Sequence, residues 1–375
     1  MAAIPEPVHT HTTPRAIFKL YEERAAKEPP RPYLGASIIG KPCDRALWYQ
    51  FRQVAIVRFE GRMLRLFDTG HREETRFIEE LRGIGCEVLD VDPETGEQWE
   101  VSAVNGHFSG HADGVARGLP EAPKKWALLE FKTHNAKSFA KLIAEGVEKS
   151  KPEHWAQMHV YGHLLGLDRA LYLACSKDTD DLHAEWVHID KSVAERFLAR
   201  AERIIYATHP PARLSDDPAH WQCKFCDFYD VCHQDAPPRK NCRTCVHATP
   251  CKDRDGGKWV CSAPGAGDAE IPIDVQLTGC PEHLFIPPLL QYADPVDAGT
   301  GWVAYQHRAT GKGFVNVAAS ADRETMPELV DAEFTSDELA IARPAVVADE
   351  FVRDLKAEFP GARVVADDRV TTSTG

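Results

Sequence analysis

Apolar residues along this chain recur with two different periods, and the switches between them mark out its elements. Between residues 191 and 208, Val193, Phe197, Ala201 and Ile205 fall four apart and line one face of an amphipathic helix. Leu66, Phe77, Ile78 and Leu81 give residues 63–81 the same character, and 15–27 and 43–52 read as shorter helices. Extended segments are expected near 86–91, 99–104, 107–116 and 126–133. Pro152 suits the first turn of a helix running to residue 166, and strands recur at 170–176 and 183–189. Helix, several strands, helix, strand is the order of an α/β fold with a mixed sheet flanked by helices.

The pattern changes after residue 235. Ala236-Pro237-Pro238-Arg239-Lys240 reads as a linker, residues 240–290 are rich in cysteine, and 295–375 look α+β. In that last segment 301–305 and 313–317 flank Thr310-Gly311 as a hairpin. Residues 347–359 read as a helix, 362–366 as a strand and 367–375 as a tail. Residues 1–14 hold Pro, His and Thr without an apolar signal core and are expected to lack order. The expected layout is therefore a domain over 15–235, a cysteine-rich module over 240–290 and a C-terminal segment of unassigned role.

Candidate chemistry sits on the strand ending at Thr133. Side chains alternate along a strand, so Glu130 and Lys132 face one way and Phe131 faces the core. Asp113, 17 positions before Glu130, lies on another extended segment, and neighbouring strands let the two carboxylates converge on one cation. Mg²⁺ prefers oxygen ligands and keeps several waters, so two carboxylates and a substrate phosphate suffice to hold it. The carbonyl of Phe131 is a further candidate ligand, and Lys132 would orient the attacking water. Gln157 and Tyr161, four apart on a helix, share a face and are placed to clamp a strand or position Lys132.

Asp…Glu-x-Lys followed by Gln-x-x-x-Tyr resembles the PD-(D/E)XK nuclease superfamily in its RecB-like exonuclease branch. The resemblance spans about residues 30 to 235 and implies a nuclease core of mixed sheet flanked by helices, acting on DNA with Mg²⁺ or Mn²⁺. Asp113, Glu130 and Lys132 match its catalytic triad, and Gln157 and Tyr161 its helix motif. Gly70-His71-Arg72-Glu73-Glu74 resembles its first motif with Glu74 in the final place, where RecB-type members carry histidine and lambda-type members glutamate. Either Glu74 or His71 then assists the metal. A charged helix face explains Glu74 equally well.

The chain has 11 cysteines. Cys43 far upstream and Cys223, Cys226 and Cys232 downstream flank the nuclease motifs. This one-plus-three pattern resembles the iron–sulfur staple of AddB-type and CRISPR-adaptation nucleases, and implies a 4Fe–4S cluster. Zinc suits the same thiols. Cys242, Cys245, Cys261 and Cys280 fit a zinc ribbon or knuckle, with His247, Cys251 and His283 as substitutes; a region of that size buries little core, so a structural metal is a reasonable stabiliser. Cys86 and Cys175 lie in apolar stretches and read as core thiols.

A net charge of −13 argues against a protein that coats DNA non-specifically. A local basic channel suffices for a nuclease, and Lys124, Lys125, Lys132, Lys137, Lys141, Lys149 and Lys151 are its candidates. No apolar run is long enough for a membrane span, and a cytoplasmic setting is expected. The leading expectation is a metal-dependent DNA exonuclease of recombination, repair or degradation, of phage or prophage type. Its partner is DNA, single-stranded or with free ends, together with a recombinase or single-strand-binding protein. The alternatives are an accessory factor using the fold as a DNA-binding platform, and a CRISPR spacer-processing nuclease.

Overall fold

The computed structural model describes residues 12–327, 332–359 and 361–366. The tail expected over 367–375 lies outside them, as does most of the N-terminal segment. Its last three residues, 12–14, already belong to helix α1 (Thr12–Ala25).

Strand β1 (Leu34–Gly35), helix α2 (Asp44–Arg52) and the long helix α3 (Gly61–Gly83) precede a run of strands. These are β2 (Glu87–Leu89), β3 (Glu100–Ala103), β4 (Phe108–His111), β5 (Gly114–Arg117) and β6 (Ala127–His134). Helices α4 (Ala136–Ser150) and α5 (Pro152–Leu164) then lead to β7 (Arg169–Ser176), β8 (Leu182–His188) and α6 (Lys191–Ile205). The central sheet has the order β2-β5-β6-β7-β8; β6 and β7 are parallel and the other pairs antiparallel. Parallel neighbours need a crossover connection, and α4 and α5 supply it.

Side-chain alternation on β6 sorts the two faces. Leu129 and Phe131 join a core beneath α3, where Phe131 stacks on Phe77 at 5.1 Å between ring centres. Leu128 joins the larger core on the opposite face with Met158 and Tyr161 of α5. Glu130, Lys132 and His134 follow the same alternation and share that second face.

The structure departs from these expectations at several points. Residues 107–116 are not one strand. β4 pairs with β1 and β3 in a small separate sheet, β5 joins the central sheet, and Ala112-Asp113 turns the corner between them. Gly114 makes that corner: its φ is 147°, and a Cβ there would meet the Leu89 carbonyl oxygen at 2.9 Å. Helix α4 was not expected, although Asn135 caps it by accepting from the Ser138 amide at 2.8 Å and Phe139, Leu142 and Val147 are buried on it. The helix expected over 347–359 is two, Pro344–Ala348 and Glu350–Glu358, split at Asp349, and 362–366 forms no strand.

Beyond α6, short helices α7 (Trp221–Lys224) and α8 (Tyr229–His233) precede a three-stranded sheet of β9 (Ala248–Pro250), β10 (Trp259–Cys261) and β11 (Ala269–Glu270). The last sheet has the order β12-β13-β14-β15, from Ala293–Gly299, Trp302–His307, Gly313–Val317 and Glu333–Thr335. Its middle pair is the antiparallel hairpin read from the sequence. The stretch read as a linker is packed: the Arg239 amide donates to the Val54 carbonyl at 2.7 Å, and Pro238 is buried. One hydrophobic core runs from Leu34 through Trp259 to Val347. No helix among the described residues is long and apolar enough to cross a membrane.

The loop before α2 presses against the start of α5. A Cβ on Gly40 would lie 2.6 Å from the Glu153 Cα and 2.9 Å from the Pro152 carbonyl oxygen. Gly40→Ala is therefore expected to cost about 1–3 kcal/mol by overpacking, read as a lowered melting temperature. An unchanged melting temperature would show that α5 retreats freely from the loop.

A carboxylate–lysine cluster as candidate active site

Backbone geometry brings Asp113 to β6. Gly114 of β5 pairs with Leu129, so the corner residue before it overhangs the next rung of β6. There Asp113 Oδ2 accepts the Phe131 amide at 2.7 Å. The Lys132 ammonium lies 2.6 Å from Glu130 Oε1 and 3.7 Å from Asp113 Oδ2, and donates to the Phe131 carbonyl at 2.8 Å. It occupies the point toward which those oxygens turn.

Helix α5 closes the site from the other side. Gln157 Nε2 donates to Glu130 Oε2 at 2.8 Å, so amide and ammonium hold the two oxygens of one carboxylate. Tyr161, one turn on and buried, lays its hydroxyl against Gly110 of β4, where a Cβ would collide with it. Burial pushes its phenol up, and Glu130 and Asp113 push it further. Glu74 of α3 is half-buried; burial raises its pKa, as does Asp113, against the pull of Lys132 and His71. Of the two first-motif candidates Glu74 thus adjoins the cluster, while His71 is exposed.

Glu130 has no solvent exposure, and burial pushes its pKa up to about 7 against the pull of Lys132, with Asp113 and Glu74 adding to the rise. The attraction of Glu130 and Asp113 raises the pKa of Lys132. Three carboxylates against one ammonium leave an excess of negative charge among oxygen donors, the donor set a hard divalent cation takes. The residues present fit Mg²⁺ or Mn²⁺.

A second layer escaped sequence reasoning. The Tyr172 hydroxyl of β7 lies 2.9 Å from His134 Nε2 and 2.9 Å from His154 Nδ1. Ser138 Oγ lies 3.4 Å from His134 Nδ1 and accepts from Lys151. Burial lowers His134 to about 4 and His154 to about 3, and nearby lysines add to both shifts. Two signals were available: His134 extends the Glu130–Lys132 alternation, and His154 precedes Gln157 by three on the same helix face. Among the other channel candidates Lys125 and Lys141 face Asp168 and Glu145 at 3.8 and 3.7 Å, and Lys124, Lys137 and Lys149 are exposed.

The cysteines gather in two places. Cys43, Cys223, Cys226 and Cys232 line one cavity, with Tyr49 and Phe228 among its walls. Cys43 caps α2, its sulfur accepting the Ala46 amide at 3.4 Å, and the Phe228 backbone donates to the Cys226 sulfur. Cys242, Cys245, Cys261 and Cys280 form the second set: Cys280 and Cys261 both act on Cys242, and Cys280 and Cys242 on Cys245. Of the substitutes, Cys251 faces Asp253, Arg254, Lys258 and Glu270 instead, and His283 Nε2 is engaged by the Asn241 carbonyl at 3.0 Å.

Among the described residues one group of three or more potential ligands has its atoms within 4.8 Å of each other, and it is Glu73, Cys175 and Asp180. Arg76 already neutralises it, at 3.5 Å from Glu73 and 2.7 Å from Asp180. Among the described residues no three sulfurs of either cysteine set lie within 4.8 Å of one another. A cubane keeps its thiolates well apart, whereas tetrahedral zinc draws them to about 3.8 Å, given Zn–S of about 2.3 Å.

No protein-family model matches the chain, and no curated protein matches it. Among solved structures it is similar to SSO0001 at a TM-score of 0.37 and 16% identity, over 59% of this chain and 96% of that one. It is also similar to LHK-Exo in complex with dAMP, at a TM-score of 0.35 and 14% identity over 50% and 89% of the two chains. The same alkaline exonuclease from Laribacter hongkongensis, in another crystal structure, gives 0.34 and 14% over 50% and 90%. These are partial backbone overlaps, and the reading of the site rests on this chain's own geometry.

Two outcomes follow from the site. Gly110→Ala should drive the Tyr161 ring out of its place between β4 and α5 while leaving the Glu130–Gln157 contact; a crystal structure of the variant with an unmoved Tyr161 would contradict this. The second concerns pH. His134 and His154 have folded pKa values below the ordinary value of about 6.5, so the unfolded chain takes up their protons first. Their contribution is present above about pH 6.5 and is lost as pH falls toward 4. His154→Asn should flatten melting temperature against pH over that window, and an unaltered slope would refute the assignment.

Proposed function

We propose that the chain is a metal-dependent nuclease that hydrolyses DNA phosphodiesters, acting as an exonuclease. The observation that carries this reading is the convergence of Asp113, Glu130 and the Phe131 carbonyl on the ammonium of Lys132, with Glu74 of α3 sensing both Asp113 and Lys132. Asp113, Glu130 and the Phe131 carbonyl would hold Mg²⁺ or Mn²⁺, with Glu74 beside them. When bound, the cation supplies Lewis acidity toward the phosphate and a more acidic water.

The chain's own groups do the rest. Gln157 fixes the rotation of the Glu130 carboxylate by holding the oxygen that Lys132 does not. Lys132, at 2.6 Å from Glu130 and 3.7 Å from Asp113, would present its ammonium to the attacking water or to a non-bridging phosphate oxygen. Tyr161 and Gln157 are buried and act from behind the site, Tyr161 against Gly110 of β4 and Gln157 on Glu130, so the clamp expected of them on a DNA strand is not part of this reading. The cavity lined by Cys43, Cys223, Cys226 and Cys232 is read as the seat of a 4Fe–4S cluster tying α2 to α7 and α8. The second thiol set is read as a zinc site.

Lys132→Ala should lower turnover on end-labelled linear DNA by about 10²–10⁴-fold with folding intact. Asp113→Ala should in addition raise the Mg²⁺ concentration needed. Chelation should abolish activity and Mn²⁺ restore it, with closed circles resistant. Wild-type turnover in Lys132→Ala would remove the assignment, and degradation of circles would replace exonuclease by endonuclease. Anaerobically purified protein should be brown with about four irons per chain, and Cys43→Ser should lose them. Colourless, iron-free wild-type protein would rule the cluster out and leave the nuclease reading standing.

A further inference from the structure

Two arginines are buried against one tryptophan at the join between α2 and the cysteine-rich region. Arg52 is 3% exposed and Arg243 1%. Their guanidinium carbons lie 4.9 and 5.0 Å from the ring centre of Trp259. Arg52 also stacks on Trp48 at 5.3 Å, and Arg243 on Phe51 at 5.5 Å.

Every hydrogen bond they make ends on a neutral acceptor. Arg52 donates to the carbonyls of Arg243, Ala248 and Ala207, and its Nε has no partner. Arg243 donates to the carbonyls of Phe51 and Pro32 and to Gln276 Oε1. Among the described residues no carboxylate pairs with either, and the two cations repel each other. Burying such charges without a counter-ion costs several kcal/mol each. The titratable groups that act on them in the opposite sense are thiols: Cys245 for Arg52 and Cys242 for Arg243. Burial pushes both thiols up, so neither is charged by itself, while backbone donors oppose that rise, Gly279 toward Cys242 and His247 and Leu284 toward Cys245.

We infer that Cys242, Cys245, Cys261 and Cys280 bind a soft divalent metal, zinc foremost, as a tetrathiolate bearing two net negative charges, and that Arg52 and Arg243 are its buried countercharge. Four thiolates and one dication sum to two negative charges, and two guanidiniums cancel them. A centre with one thiolate replaced by a neutral histidine would bear a single negative charge and leave one arginine uncompensated. The inference rests on the zinc reading above and assigns Arg52 and Arg243 as positioning residues for that centre. It also explains why a helix of the nuclease core carries one of them.

The test uses the full chain, as purified and after stripping with a chelator. Wild type should hold one zinc per chain. Arg52→Met, near in volume and uncharged, should release zinc to a chromogenic chelator about 10–100-fold faster and melt lower than wild type when zinc-loaded. After stripping it should melt no lower than stripped wild type, because a buried unpaired charge has gone. A merely structural arginine would lower both forms alike, and that result, or wild-type release from Arg52→Met, overturns the countercharge while leaving the zinc. Arg52→Lys keeps the charge and should keep the zinc; if Arg52→Met does not fold, zinc loss from folded Arg52→Lys overturns the inference. Zinc-free wild type with its iron intact would defeat the underlying zinc reading instead.

Discussion

The candidate site depends on the complete burial of one carboxylate, Glu130, in the middle of β6. A carboxylate without solvent must find partners for both oxygens, and here they come from different parts of the chain: Lys132 two residues on and Gln157 across the crossover. That requirement fixes the rest. The strand has to present alternate residues to α5. The α4–α5 crossover has to return parallel to β7 so that α5 lies over the strand. The chain before β5 has to turn at Gly114 so that Asp113 reaches the same rung. Hydrophobic packing on the opposite face, Phe77 against Phe131, keeps the strand from rotating out of this register.

The part of this arrangement that depends on local periodicity was legible in the sequence. Glu130 and Lys132 share a face because strands alternate; Gln157 and Tyr161 share one because helices nearly repeat every four residues. The hairpin around Thr310-Gly311 was legible for the same reason. What periodicity cannot show is where an extended segment changes sheets. Residues 107–116 look uniformly extended, and only the meeting of Gly114 with Leu89 across the fold divides them. The His134–Tyr172–His154 layer was hidden similarly, since its tyrosine comes from a strand whose pattern is simply that of a core strand. Helix α4 was missed although its capping asparagine stood in plain view.

Charge organises the molecule more than its overall acidity suggests. The interior holds one carboxylate-rich cluster and, at the join with the cysteine-rich region, a pair of arginines with no carboxylate. A bound cation corrects the first imbalance, and thiolates held on a metal would correct the second. The proposed metals thus serve as electrostatic parts of the fold as well as chemical ones, and a chain stripped of them is left with buried charges of both signs far apart.

Helix α2 has a consequence for how the chain is made. Only nine residues long, it carries Cys43 at its cap and Arg52 at its end. Trp48 donates to a carbonyl 159 residues later and Arg52 to one 191 residues later. On a ribosome, where the N-terminal part emerges first, α2 waits for its partners until most of the protein has been synthesised. Contacts of such sequence separation fold slowly, and during that wait Trp48, Tyr49 and Phe51 are uncovered. The central sheet and its helices are therefore complete in sequence by the end of α6 but not yet complete as a folded object, and they are vulnerable to aggregation and proteolysis until the cysteine-rich region arrives to close over them.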